Sequence, residues 1–356
     1  MLAAVSDQKS GSEPGGPLWH RWLQWATRPR TRSVSARERY FGPSYAVRSN
    51  PAAAHGEFVG LLTAAEDGDW PAVVAFFDRL TTLGDVMFAV GTLGDWRGIE
   101  SRLEPLATVA TPDRLARLLL ADRLIKMGWG VGLHPIGPNP TVARVEEIRS
   151  HLGRAEQILL GLTSADPDDA VAWSLRLHTA RGLNLGLDEA RRRYDAVARV
   201  DPHNVWAQSR LLRQLSPASG GSLDQMHAFA GDCADAAPAG ALNGMLIAQA
   251  QVEHAFAATG RAAQAWQYLA DRSVRRTLTR AAERSVLHPE FRKVYGWVQA
   301  HNAFALALGL AGDGVAAARH FSVLGNYGCD EVWDRLGDPA QAFSTYQGRA
   351  QMAIGQ

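Results

Sequence analysis

The sequence predicts an all-α fold built from successive antiparallel helix pairs, and three observations carry that expectation. Apolar residues keep helical spacing through almost the whole chain from Phe58 onward. Helix-capping residues stand ahead of these stretches, several of them followed by proline. One helix-and-turn pattern is also written twice: "RAEQILLGLTSADPDDAVAW", residues 154–173, returns thirty-five residues later as "EARRRYDAVARVDPHNVW", residues 189–206. No alternating apolar–polar run flanked by hairpin turns competes with this reading.

Along the chain, residues 1–50 differ from the rest and are expected to form a flexible Arg/Trp-rich segment. "SDQKSGSEPGGP" has the small, polar composition of a tail. From Leu18 to Arg48 seven Arg stand against one acid, Glu38, a local net charge of +6 that could draw the segment to an anionic surface. Trp19, Trp22 and Trp25 fall three apart, so this segment could make weak contact with a membrane surface. Residues 51–350 read as one helical-repeat domain. Thr111-Pro112, Asp166-Pro167, His288-Pro289 and Asp338-Pro339 each place a possible cap before proline at the first helical position, where its missing N–H costs nothing. Ser222 with Gln225 forms a capping box. "DWPAVVAFFDRL" (69–80) is echoed by "DWRGIESRLEPL" (95–106), so Asp69 and Asp95 are expected to cap matching helices, with a short helix in "DVMFAVGTL" between them. Val142, Val145, Ile148, Leu152, Ala155, Leu159 and Leu162 form one apolar stripe; Ala300, Ala303, Phe304, Ala307, Leu308 and Ala311 form another.

An Ala followed twelve residues later by Pro, repeated at thirty-five, is close to the tetratricopeptide register. Residues 140–325 resemble that family. Ala155 and Ala190 match its small residue, Leu159 and Tyr194 its large one, Pro167 and Pro202 its terminal proline; Ala317 and Phe321 repeat the small–large pair with Ala305 opposite. The family's Trp-Leu-Gly-Tyr pattern on the first helix is represented only by Trp173. The body, residues 60–345, also looks similar to a group of actinobacterial helical-repeat proteins. Both resemblances imply an α-solenoid of tetratricopeptide-like antiparallel helix pairs, in which small residues let paired helices approach closely.

The composition narrows function mostly by exclusion. A hydrophobic fraction of 46% rules out wholesale disorder, and a net charge of +1 selects no class of partner, nucleic acid included. No run of eighteen apolar residues occurs, and the first seventeen residues lack a signal-peptide pattern. With Cys233 and Cys329 widely separated, the expected setting is cytoplasmic. Glu147 and His151 stand four apart on one helix, but no second ligand-bearing helix completes a metal site, so a solvated pair is expected. Nucleophile and phosphate-loop motifs are missing too. The expectation is therefore a non-catalytic scaffold without cofactor, binding a protein or peptide partner.

Two regions are candidates for that binding. In a paired-helix array the first helix of each pair lines the concave side, which would put Arg176 beside Arg210 and Arg213 in a strip suited to an acidic peptide. Arg191, Arg192 and Arg193 would then form an outward, solvated face. "GWGVGLHPIGPNP", residues 128–140, is the other candidate, with Trp129 and His134 able to close over a ligand. An enzyme or small-molecule sensor with a pocket near this loop, His227 and His301 is the alternative, as is a membrane-tethered helical domain.

Overall fold

The computed structural model describes residues 35–108, 113–130, 141–259 and 262–355, with no side-chain detail for 258–265. All regular elements among the described residues are helical; the one β-type contact is an isolated bridge between Arg48 and Tyr327. The α-helices are α1 (Ala36–Phe41), α2 (Glu57–Asp67), α3 (Trp70–Phe77), α4 (Leu83–Gly94), α5 (Glu100–Thr108), α6 (Arg114–Gly130), α7 (Val142–Ala165), α8 (Ala170–Gly182) and α9 (Leu187–Val200). They continue with α10 (Val205–Gln214), α11 (Leu223–Ala236), α12 (Met245–Thr259), α13 (Ala262–Leu269), α14 (Arg272–Arg284), α15 (Trp297–Leu310), α16 (Gly314–Leu324), α17 (Asp330–Trp333) and α18 (Pro339–Ile354).

Local chemistry explains where these helices start. Asp69, Asp169, Asn204, Ser222, Asp313 and Asp338 each accept a hydrogen bond from a backbone N–H in the first turn of the helix they precede. Asp338-Pro339 thus acts as expected, and Ser222 caps α11 by accepting from the Gln225 amide at 3.2 Å. Asp166-Pro167 does not: the Asp166 carboxylate accepts from the Asp168 amide at 3.0 Å, the proline lies in the turn, and Asp169 caps α8. The echo at Asp201-Pro202 is built the same way, with Asp201 accepting from the His203 amide at 3.2 Å and Asn204 capping α10. Even the side chains thirty-five apart agree. Trp173 Nε1 donates to the Pro167 carbonyl at 2.7 Å, and Gln208 Nε2 to the Pro202 carbonyl at 2.9 Å.

Other expected caps fail for identifiable reasons. Asp95 ends α4 rather than starting a helix; Gly98, at φ 93°, breaks the chain before α5 begins at Glu100. His288-Pro289 lies in a turn, where His288 Nδ1 accepts from the Glu290 amide at 3.2 Å. Thr111-Pro112 lies outside the described residues.

Most consecutive helices pack against one another, and α6, α8, α10, α12 and α15 also touch in that order, forming an inner row. Small residues lie inside the helix packing: Ala155, Ala190, Ala305 and Ala317 have no exposed surface. Leu152, Leu159, Leu162 and the whole stripe from Ala300 to Ala311 are buried, whereas Val142 at the start of α7 is exposed. Two hydrophobic clusters fill the body, one spanning Phe41 to Leu175 and the other Ala170 to Ala350. They share α8, whose Val171, Ala172 and Leu175 face one cluster while Ala170, Trp173 and Leu177 face the other.

The two ends of the body meet. Arg48 N–H donates to the Asn326 carbonyl at 2.8 Å, and Gly328 N–H donates back to the Arg48 carbonyl at 3.0 Å. The Asn326 amide donates to the Ser44 and Ala46 carbonyls at 2.8 and 2.7 Å. Tyr295 stacks on Phe88 with ring centroids 5.2 Å apart, and its hydroxyl donates to Glu57 at 2.8 Å. Phe41 is buried in this body, so residues 36–50, counted with the N-terminal segment in the sequence reading, pack as part of the helical domain. The Trp19, Trp22 and Trp25 stripe lies outside the described residues.

Candidate functional site

A single turn of geometry decides which polar side chains of the inner row reach solvent. Along α8, Ser174, His178 and Arg181 follow an i, i+4, i+7 spacing and share one face. Arg176 stands two residues beyond Ser174, which carries it to the far side of the helix. There it is buried rather than lining a concave strip: its guanidinium donates to Glu156 on α7 at 2.7 Å and to Thr163 at 2.9 Å. Arg193, expected on a solvated face, is buried beside it and donates to the same Glu156 at 2.9 and 3.0 Å. Hydrogen bonds from Arg192 first, then from Arg193, hold the Glu189 carboxyl down at about 2 despite burial, which works the other way. Trp173 is covered by Arg176 at 4.6 Å and Arg192 at 5.1 Å. Of the three consecutive arginines only Arg191 and Arg192 are exposed.

On that face Ser174 is buried, while His178 and Arg181 stand near Lys126, Arg210 and Arg213 in a basic recess. Three neighbouring helices of the inner row each contribute a pair one turn apart: Lys126 and Trp129 from α6, His178 and Arg181 from α8, Arg210 and Arg213 from α10. Of these six residues Arg181 and Arg213 line a cleft of about 440 Å³. Leu212, Met226, Ala248 and Leu306 make its apolar floor; Arg213, Glu331, Asp334 and Arg335 stand exposed at its rim. Arg181, also on the wall, lays its guanidinium over the Trp129 ring at 4.6 Å.

Pairing in the recess is uneven. Lys126 meets Asp95 at 2.8 Å and Asp122 at 3.2 Å; burial works to lower its pKa, but these two carboxylates outweigh it and raise it. Arg335 pairs with Glu253, and Arg213 stands 3.7 Å from Glu331. Arg210 donates to the Ser174 hydroxyl and Arg181 lies over the Trp129 ring, and among the described residues neither makes an ion pair with a carboxylate. Burial pulls the pKa of both guanidiniums down to about 10; Arg213 adds to the effect on each, while Glu253 opposes it at Arg181 and Asp122 and Glu331 oppose it at Arg210. His178 is held well below the usual imidazole range, by burial first and then by Arg210, Arg213, Arg181 and Lys126.

Two of the three arginines expected on a concave strip, Arg210 and Arg213, are therefore brought together. Trp129 joins them through Arg181, while His134 lies outside the described residues. His178 and Arg181 went unnoticed in the sequence. Their signal was available, because the thirty-five-residue echo sets His178 over Arg213, and sets Arg176 over the buried Leu211.

The remaining candidates lie elsewhere. His227 Nε2 and His254 Nδ1 are 2.8 Å apart, with His254 stacked on Tyr268. His301 is buried in the core, its Nδ1 3.1 Å from that of His320. Neither His227 nor His301 borders the cleft. Glu147 pairs with Arg144 at 3.3 Å rather than with His151. Among the described residues no three His, Cys, Asp or Glu side chains gather to hold a metal, and no helix is long and apolar enough to cross a membrane. No family model matches the chain, and no curated protein matches it.

Proposed function

We propose that this chain is a non-catalytic binding protein, an α-solenoid of tetratricopeptide-like helix pairs whose inner row receives an acidic segment of a protein partner. The observation that carries the reading is the cleft, where exposed Arg181, which makes no ion pair among the described residues, stands with Arg213 beside an apolar floor. The matched turns at Pro167 and Pro202, and the buried Ala155 and Ala190, support the repeat reading. A partner presenting carboxylates next to apolar side chains would satisfy both rim and floor.

The test compares partners recovered from native cells with the tagged wild-type chain, the doubly reversed Arg181→Glu/Arg213→Glu chain and the Arg191→Glu/Arg199→Glu control. Recess reversal should remove the partner, control reversal should leave it, and binding should weaken as salt rises. Equal loss in both variants would reduce the attraction to diffuse charge and defeat the reading.

The cleft volume favours a second reading, a small-molecule sensor, because about 440 Å³ lies within the ordinary range for small ligands. A ligand-induced rise in melting temperature on screening small carboxylic acids, with no protein partner recovered, would favour it.

A further inference from the structure

Both copies of the echo at 69–80 and 95–106 line a second cleft, which shares no lining residue with the one beside Arg181. Trp70 and Val73 come from the first copy, Ile99, Leu103 and Leu106 from the second. The C-terminal end of α2 adds Ala65 and Gly68. The volume is about 310 Å³, at the lower end of the ordinary range for small-ligand sites. Ala65, Val73, Ile99 and Leu103 are buried members of the first hydrophobic cluster, so the core behind them holds the walls in place. The two copies are not packed alike. Gly98, at φ 93°, delays α5 to Glu100, and Pro105 inside that helix has no N–H to give the Ser101 carbonyl.

A single charged side chain lines this apolar space. Arg102 stands where the first copy of the echo has Phe76, which is buried. The guanidinium lies against Gly68, one of its nitrogens 2.9 Å from where a Cβ would stand. Gly68 itself lines the cleft, so this contact holds the charge at the cleft wall. The neighbouring carboxylates are engaged elsewhere. Glu100 and Glu104 on the same helix pair with Arg123 and Arg154, each at 3.0 Å. Asp69 caps α3, and Asp113 accepts from the Trp70 indole at 3.0 Å. Among the described residues Arg102 makes no ion pair, and it is exposed to solvent beside the apolar walls.

We propose that this cleft binds a small monocarboxylic acid with an apolar chain, the chain lying along Val73, Ile99 and Leu103 and the carboxylate pairing with Arg102. The lining decides the class. Apolar walls suit a chain and offer little to a ligand rich in hydroxyls, because the indole N–H of Trp70 is already taken by Asp113. One cation suits one negative charge, and a guanidinium fork matches a carboxylate in shape. This ligand is a free small molecule in a cleft of its own, so the site stands or falls separately from the partner surface of the inner row.

Calorimetry on the full chain tests it with octanoate, hexanoate, octanol and octylammonium, each kept below the concentration at which it self-associates. Octanoate should bind. Hexanoate, shorter by two methylenes, should bind about fifteenfold more weakly, at roughly fourfold per buried CH₂. Octanol and octylammonium should each bind about tenfold or more weakly than octanoate. Arg102→Met, a change at an exposed position, should bring octanoate down to the level of octanol. Ala64→Phe, which adds a ring at a half-buried position of the cleft wall, should remove octanoate binding. If that variant melts early, Leu106→Trp takes its place. No octanoate binding by the wild-type chain, or octanol binding as tightly as octanoate, would overturn the proposal. So would octanoate affinity unchanged in either Arg102→Met or the cleft-filled chain.

Discussion

Glu156 shows how much one residue can settle in this protein. It is largely buried between α7, α8 and α9 and takes hydrogen bonds from both Arg176 and Arg193, while Thr179 also donates to it. Replacing it with Ala leaves two buried guanidiniums without their shared carboxylate. We expect Glu156→Ala to cost roughly 3–5 kcal/mol in a denaturant titration, the range for breaking a buried pair by removing one partner. A cost near that of an exposed pair would show that the arginines find water instead. The His301–His320 pair makes a different prediction at the same scale. Burial first holds His301 down to about 4 and His320 well below its usual range, and the Nε2 atoms of both are buried without a partner among the described residues. Because the folded pKa lies below the unfolded one, the unfolded chain binds more protons as pH drops below about 6.5. Stability is therefore full above that pH and is lost progressively toward the folded value. His320→Leu should flatten the loss in melts taken between neutral and mildly acidic pH; an unchanged slope would place the acid sensitivity elsewhere.

At the scale of the helices, the small residues at the pair contacts are the sensitive points. Ala155 on α7 and Ala190 on α9 have no exposed surface and stand at equivalent places in the thirty-five-residue echo. A Trp at either position would force α7 or α9 away from α8, so we expect Ala155→Trp or Ala190→Trp to cost roughly 1–3 kcal/mol by overpacking. Unchanged melting of both variants would contradict the close approach. Helix starts teach a related lesson. The Asp-Pro pair reads as a cap before a first-turn proline, yet its Asp folds onto the amide two residues on, and the cap falls to the third residue after it. Asp and Asn serve both roles equally well, so local chemistry alone does not choose between them.

Across the whole molecule, contact between the ends changes the expected energetics. In an open array each repeat touches only its neighbours, and the ends can unfold separately. Here residues 44–58 contact residues 295–328, and Trp206 on α10 donates to the Gly84 carbonyl on α4 at 3.1 Å. Gly296, at φ 99°, lets this closure form, since a Cβ there would come within 2.7 Å of the Trp206 ring. We expect far-UV circular dichroism and tryptophan fluorescence to report one coincident thermal transition. Asn326→Ala should lower that single transition by about 1 kcal/mol of stability, having removed the amide that holds two carbonyls of the N-terminal segment. Two separated transitions would show that the ends are independent.

The sequence by itself determined the helical class, the paired-helix echo, most of the buried stripes and the caps at Asp69, Ser222 and Asp338. These follow from spacing along one helix and from backbone chemistry within one turn, and both are local. It also brought Arg210 and Arg213 forward as neighbours. Only the tertiary structure decided that Arg176 turns into a buried network, that Arg181 lines the cleft instead, and that the two ends of the body meet. Helical periodicity shows which residues share a face, but several faces of α8 are covered by different partners. Which of them is left open depends on α6, α7, α9 and α10 together, and that information lies in the packing of helices far apart in the chain.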